Sequence, residues 1–169
     1  IAWSRSSGVL HALEGNISVS GQAFAFVGQL LGLEDEAALT AQAASVPDSG
    51  GVCVVPALAG LGAPHWNDAA RGLVSGLSLG STPAHLARAA LEAVALQIHD
   101  VFMAMQADLG GVLSELNVDG GAARNDLLMQ FLADLIDRPV RRPDTAEVSA
   151  LGAARLAARG LGFDLALDD

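Results

Sequence analysis

The chain has 169 residues, 51 % of them hydrophobic and only 4 % aromatic, with 19 acidic against 9 basic side chains and a net charge of −10. That length suits one domain with a real core and is too short for a typical two-domain enzyme. The charge argues against nucleic acid or an anionic membrane surface as a partner, because both would be repelled over most of the surface. Alanine, leucine and glycine dominate, a composition suited to closely packed helices and sheets. No stretch approaches the roughly 18 uninterrupted apolar residues of a membrane span, and no charged leader precedes an apolar segment. Cys53 has no second cysteine to pair with. Inside the run Val52-Cys53-Val54-Val55 it reads as a buried structural thiol of an intracellular protein, with the cytoplasm as the expected location. The opening Ile1-Ala2-Trp3 lacks an initiator methionine, so a longer protein is expected.

In chain order, the segment up to Asn16 alternates loosely and carries Gly8 and Gly15, which predicts short strands or a hairpin. From Val19 to Leu31, Ala23, Val27, Leu30 and Leu31 fall on one face of a helix that Gly32 closes. Glu34 to Val46 predicts an alanine-rich helix with acids in its first turn, stopped by Pro47. After the turn Asp48-Ser49-Gly50-Gly51, the β-branched run Val52 to Pro56 predicts a buried strand. Gly72 to Leu79 reads as another strand. Ser81-Thr82-Pro83 marks a helix start, with Thr82 as cap and Pro83 preset for the first turn. The stripe Leu86, Ala90, Val94, Ile98, Val101 or Phe102, and Met105 carries that helix to Gly110, and at ~1.5 Å per residue it spans on the order of 40 Å. Pro139 is expected to close the helix before it, Pro143 to lie in a loop, and a last helix to run from about Glu147, its Ala150, Gly152, Ala153 and Ala154 letting another backbone pack close. No internal repeat and no low-complexity linker is visible.

The most informative stretch is Leu116-Asn117-Val118-Asp119-Gly120-Gly121-Ala122-Ala123-Arg124-Asn125-Asp126. A short apolar run enters an Asp-Gly-Gly turn, and Leu127, Leu128, Phe131, Leu132, Leu135 and Ile136 then repeat as one face of an amphipathic helix. Strand, glycine turn and helix make a place to hold a nucleotide. Two glycines let a flat ligand approach without meeting a Cβ, and the helix start offers unpaired N–H groups and the positive end of its dipole. Asn125, in the first helical turn, is placed to reach a ligand resting on the glycines. The competing reading is a plain tight β–α connection.

Other chemistry is sparse. His11, His65, His85 and His99 share no i, i+4 spacing and no cysteine partner, so no metal site is expected. The loop Ala59-Gly60-Leu61-Gly62-Ala63-Pro64-His65-Trp66 invites comparison with a dinucleotide fingerprint and fails it, since the third glycine would fall at His65 and no helix follows. There is no G-x-S-x-G elbow. Glu92, among apolar neighbours in the long helix, is expected to anchor a neighbouring loop.

Ala57 to Gly80, with Gly60-Leu61-Gly62-Ala63-Pro64-His65-Trp66 and Ala70-Arg71-Gly72, followed by Gly76-Leu77 and His85-Leu86-Ala87-Arg88-Ala89-Ala90-Leu91-Glu92, resembles the C-terminal signature region of the FGGY carbohydrate kinases. Val118-Asp119-Gly120-Gly121-Ala122 with Asn125, then Ala150-Leu151-Gly152-Ala153-Ala154, is similar to the same family in the same order. The likeness runs roughly from His11 to Phe163. Leu13-Glu14-Gly15, the Gly60 to Trp66 loop, and Gln97 to Asp100 with Met103-Ala104-Met105 most resemble members that act on glycerol.

The resemblance implies an α/β fold of the actin-like, ribonuclease H-like ATPase kind, with a mixed sheet flanked by helices. It would be the C-terminal domain of a two-domain kinase that closes over ATP and a polyol or sugar. Residues 1–169 would then form that nucleotide-binding domain, lacking its opening strands at the N-terminal edge. By motif match Gly121 lies against the adenosine with Gly120 and Ala122 beside it, Asn125 hydrogen-bonds it, and Gly21 lines the same pocket. One departure bears on the purine contact: Ala25 stands where such members place a glutamine, four residues after the glycine matching Gly21. The resemblance puts the phosphate loops, the general base and most substrate residues before this segment. No catalytic residue is therefore expected in it, ATP and Mg2+ serve the longer enzyme, and the segment alone is expected to be inactive. The implied small-molecule partners are ATP, ADP and a polyol or sugar, with glycerol ahead of a ketopentose such as xylulose. Assembly as a homo-oligomer stays open, as does a non-catalytic actin-like nucleotide-binding or regulatory module.

Overall fold

The computed structural model describes residues 3–5, 8–17, 19–144 and 148–163. In chain order the elements are β1 (Trp3–Arg5), β2 (Gly8–Leu10), α1 (Gly21–Leu30), α2 (Glu36–Ala44), β3 (Cys53–Val55), β4 (Leu73–Ser75), α3 (Pro83–Leu109), β5 (Leu116–Asn117), a 3-10 turn (Gly121–Arg124), α4 (Asp126–Ile136), β6 (Val140–Arg141) and α5 (Val148–Gly160). The expected pairing before Asn16 is present: β1 and β2 run antiparallel with Trp3 opposite Leu10. The strands form three two-stranded sheets, β1–β2 and β3–β4 antiparallel and β5–β6 parallel.

Local chemistry explains the helix ends. The Asp35 carboxylate accepts the Ala38 N–H at 2.8 Å and so starts α2 just after the expected Glu34. Past α1, Gly32 turns to φ 68 and the Leu33 N–H reaches back to the Gly28 carbonyl at 2.9 Å. Thr82 and Pro83 open α3 as expected, with the His85 ring folding back so that its Nδ1 accepts the Thr82 N–H at 3.1 Å. That contact gives one of the four histidines a structural task. Gly110, at φ 63, ends the helix.

The core gathers around α3. Ala87, Ala90, Leu91, Val94, Ala95 and Phe102 are buried against Ala23, Phe24 and Val27 of α1, Leu39 and Ala43 of α2, and Leu128, Leu132 and Ile136 of α4. Small residues on α3 let three helices pack on it, and each fully buried leucine contributes roughly 2 kcal/mol. The predicted stripe is the buried one in its middle, with Leu86 and Ile98 packed at the margin.

Several expectations are corrected. Cys53 is exposed. Val52, 1 % exposed, is buried at the edge of β3, while Cys53 is exposed and Val55 lines an open cleft with Leu86 and Ala90 of α3. Glu92 anchors no loop: it accepts a 2.7 Å bond from Arg88 Nε one turn earlier on α3, and that guanidinium lies 5.7 Å from the Phe131 ring centroid. Helix α4 ends where Asp137 takes φ 52, ahead of Pro139. Pro143 lies in a loop as expected, and the unpredicted strand β6 precedes it, with Val140 opposite Leu116. Hence β5, α4 and β6 make a parallel strand–helix–strand unit. The last helix is present, although its expected start at Glu147 lies outside the described residues. No residue of α5 is buried, so among the described residues no other backbone packs closely on it.

Candidate functional site at the end of β5

The glycine turn leaves the carboxyl end of β5, the edge of a parallel pair where α/β folds bind ligands. The Val118 N–H donates to the Arg141 carbonyl at 2.9 Å, so β6 holds the entrance to the turn. Gly120 then adopts φ 89, a conformation that disfavours any side chain. Its carbonyl accepts the Ala123 N–H at 3.2 Å and starts the 3-10 turn. A Cβ built on Gly120 or Gly121 would meet nothing within 4 Å. Both glycines therefore open onto free space.

Asn125 follows the 3-10 turn and is 8 % exposed, the one buried polar residue among those described. Its Oδ1 accepts the Leu128 N–H at 3.1 Å, which makes it the N-cap of α4. Its Nδ2 donates to Thr40 Oγ1 at 2.7 Å, and the Thr40 hydroxyl donates to the Glu36 carbonyl at 2.9 Å. Sequence reasoning saw Asn125 and missed Thr40, which stands 85 residues away as an unremarked position on α2.

The helix start is less receptive to an anion than the sequence suggests. A 3-10 turn separates the glycines from α4, Asn125 already caps the Leu128 N–H, and Asp126 puts a carboxylate in the first turn. Asp126 is itself paired with Arg142 at 2.6 Å, and the same guanidinium donates to the Ala123 carbonyl at 3.1 Å. The surface suits the uncharged end of a nucleotide better than its phosphates.

Of the five predicted contact residues, Gly120 and Ala122 line cavities at this turn, while Gly121, Asn125 and Gly21 line neither. Ala122 lines a cleft of about 570 Å³ together with Asp119, Val118, Phe102 and Ser20, the residue before Gly21. Gly120 lines a neighbouring hollow of about 460 Å³ with Arg124, Arg142 and Asp144. Gly21 is exposed at the start of α1, and Ala25, one turn on, is exposed as well. The structure thus brings the start of α1 and the glycine turn to one cleft. Among the described residues no group of three or more histidines, cysteines or acids is placed to hold a metal. No described helix is long and apolar enough to cross a membrane.

A second polar grouping lies apart from the turn. His65 Nε2 is 3.0 Å from Asp100 Oδ2, and His99 Nδ1 is 3.6 Å from Asp100 Oδ1. The contact pins the loop before Trp66 to α3 and leaves the Trp66 ring 79 % exposed.

Residues 5–161 match the C-terminal domain of the FGGY family of carbohydrate kinases, and the chain belongs to that family. It is 51 % identical over 164 residues to glycerol kinase of Nitratidesulfovibrio vulgaris, covering 96 % of this chain and 33 % of the relative. Against glycerol kinase of Burkholderia ambifaria it is 52 % identical over 170 residues, covering 100 % of this chain and 34 % of the relative. Among solved structures, Plasmodium falciparum glycerol kinase with ADP superposes with a TM-score of 0.79 at 30 % identity, over 88 % of this chain and 30 % of that one. A ligand-bound xylulose kinase from Lactobacillus acidophilus gives 0.75 at 26 % identity, over 87 % and 30 %. The chain spans about a third of the length of the glycerol kinases it matches.

Proposed function

We propose that this chain is the adenosine-binding C-terminal domain of a longer, cytoplasmic, ATP-dependent kinase that phosphorylates a hydroxyl of a small polyol, glycerol before xylulose. The observation that carries it is the pair of open glycines at the end of β5 resting on a buried, capped Asn125. Gly120, Gly121 and Ala122 form the platform, Asn125 supplies a hydrogen bond, and Gly21 lines the facing wall. Support for the nucleotide comes from the structural likeness to a kinase solved with ADP, and for the polyol from identity to glycerol kinases. The net charge of −10 supports a small-molecule enzyme over a nucleic-acid binder.

The chemistry needs more than this domain. Phosphoryl transfer depends on placing the acceptor in line and on metal-assisted neutralisation of the phosphates. Asp126 is engaged by Arg142, and the described residues present no carboxylate cluster for Mg2+. In this reading the metal, the phosphate loops and the general base belong to the longer protein, as the family resemblance implies. These 169 residues form one domain in this reading and alone phosphorylate nothing.

The test is ADP release by the intact protein with Mg2+ and ATP across glycerol, xylulose, ribulose, gluconate and erythritol. Stimulation by glycerol above the others is the expected result. ATP binding without stimulation by any of them would replace the kinase with a non-catalytic nucleotide-binding module.

A further inference from the structure

We propose that Thr40, on α2, is a positioning residue for nucleotide binding. Through one hydrogen bond it holds the Asn125 carboxamide in a single orientation and leaves one Nδ2 hydrogen for an acceptor atom of the nucleotide. The inference rests on the nucleotide-site reading above.

Donor and acceptor logic settles the direction of every bond. The Leu128 N–H is only a donor, so the Asn125 atom facing it at 3.1 Å must be Oδ1. Nδ2 therefore faces Thr40 Oγ1 at 2.7 Å and must be the donor there. The hydroxyl spends its own hydrogen on the Glu36 carbonyl at 2.9 Å, and so accepts from Asn125 without ambiguity. Two bonds from opposite sides fix a planar group, where one alone would let it turn about its last torsion.

The support is rigid. Leu39, 3 % exposed, and Ala43, 0 % exposed, seat α2 in the core on either side of Thr40. Leu128 and Leu132, both 0 % exposed, do the same for α4. Helices α2 and α4 both pack on α3. A hydrogen bond from a fixed helix to the carboxamide of a buried residue limits where that amide can point, and a pre-pointed donor binds more tightly than one that must be ordered on binding.

The experiment uses the intact protein and reads KM for ATP, kcat and equilibrium binding of ADP. Thr40→Val keeps the shape and removes the acceptor. We expect KM for ATP and Kd for ADP to rise about fivefold, the size of one hydrogen bond, with kcat within about twofold and KM for the polyol unchanged. Thr40→Ser should restore the wild-type values. In an Asn125→Ala background, Thr40→Val should add nothing further. Thr40→Ala replaces the valine variant should the latter fail to fold. If Asn125→Ala weakens nucleotide binding while removal of the Thr40 hydroxyl changes only thermal stability, Thr40 is a brace between helices and the inference fails. If neither variant alters nucleotide binding, the nucleotide-site reading falls with it. Binding of ADP answers the question even without an identified acceptor.

Discussion

Two glycine-bearing connections in this molecule use glycine for opposite ends. In the Gly60 to Asp68 loop the chain closes on itself: Leu61 and Asn67 exchange N–H to carbonyl bonds of 2.7 and 2.9 Å. A Cβ on Gly60, which sits at φ 85, would come within 2.6 Å of the Asp68 Cα. There the missing side chain is space the protein fills with its own backbone. In the turn after β5, a Cβ on Gly120 or Gly121 would meet nothing of the protein within 4 Å. Glycine density is similar in the two, so density does not mark a ligand site. What the absent Cβ would touch does.

The largest effect that can test this contrast lies under the turn. Leu128 is 0 % exposed one turn into α4, and Leu128→Ala should lower stability by about 2–5 kcal/mol in urea unfolding. A loss under about 1 kcal/mol would mean that the turn has no packed floor. Next is Gly60→Ala, which forces an alanine into a left-handed conformation against backbone and should cost about 2–3 kcal/mol while leaving nucleotide affinity unchanged. Asn125→Ala removes a helix cap and should cost about 1–2 kcal/mol of stability, together with about 1 kcal/mol of nucleotide binding. Smallest in stability is Gly121→Ala, expected within about 0.5 kcal/mol of wild type in unfolding because the space is open. Its nucleotide KM should nevertheless rise by about tenfold, since a methyl group would stand where a flat ligand rests. An unaltered KM would return the turn to a plain β–α connection, and a large loss of stability would show that the space is not open.

Much of the fold is legible where one local signal suffices. Helix α3 begins at Pro83 and ends at Gly110 because a preset φ and a left-handed glycine act within a few residues. The helix after the glycine turn is legible from its one-face apolar repeat, and Leu128, Leu132 and Ile136 are buried as that repeat requires. Signals that depend on distant pairing are silent. Strand β6 is two residues long and exists because Val140 and Arg141 lie beside Leu116 and Asn117. Cys53 sits in an apolar run, yet it is exposed while Val52 beside it is buried, a choice of face that the run itself cannot make. For Glu92, residue type and neighbours pointed to a loop contact, whereas the bond that forms is to Arg88 one turn earlier on the same helix.

The site divides in the same way. Asp119-Gly120-Gly121 and a polar residue at a helix start are local facts, and together with the family resemblance they mark the turn. Sequence alone determined the α/β class, the four core helices, the glycine turn and the membership that residues 5–161 confirm. Tertiary structure decided that the two glycines face open space, that Asn125 is buried and doubly bonded, and that Thr40 is its partner. The reason is range: turn and cap preferences act over a few residues, whereas the orientation of one amide depends on a hydroxyl 85 residues away that only the packing of α2 and α4 on α3 brings within 2.7 Å.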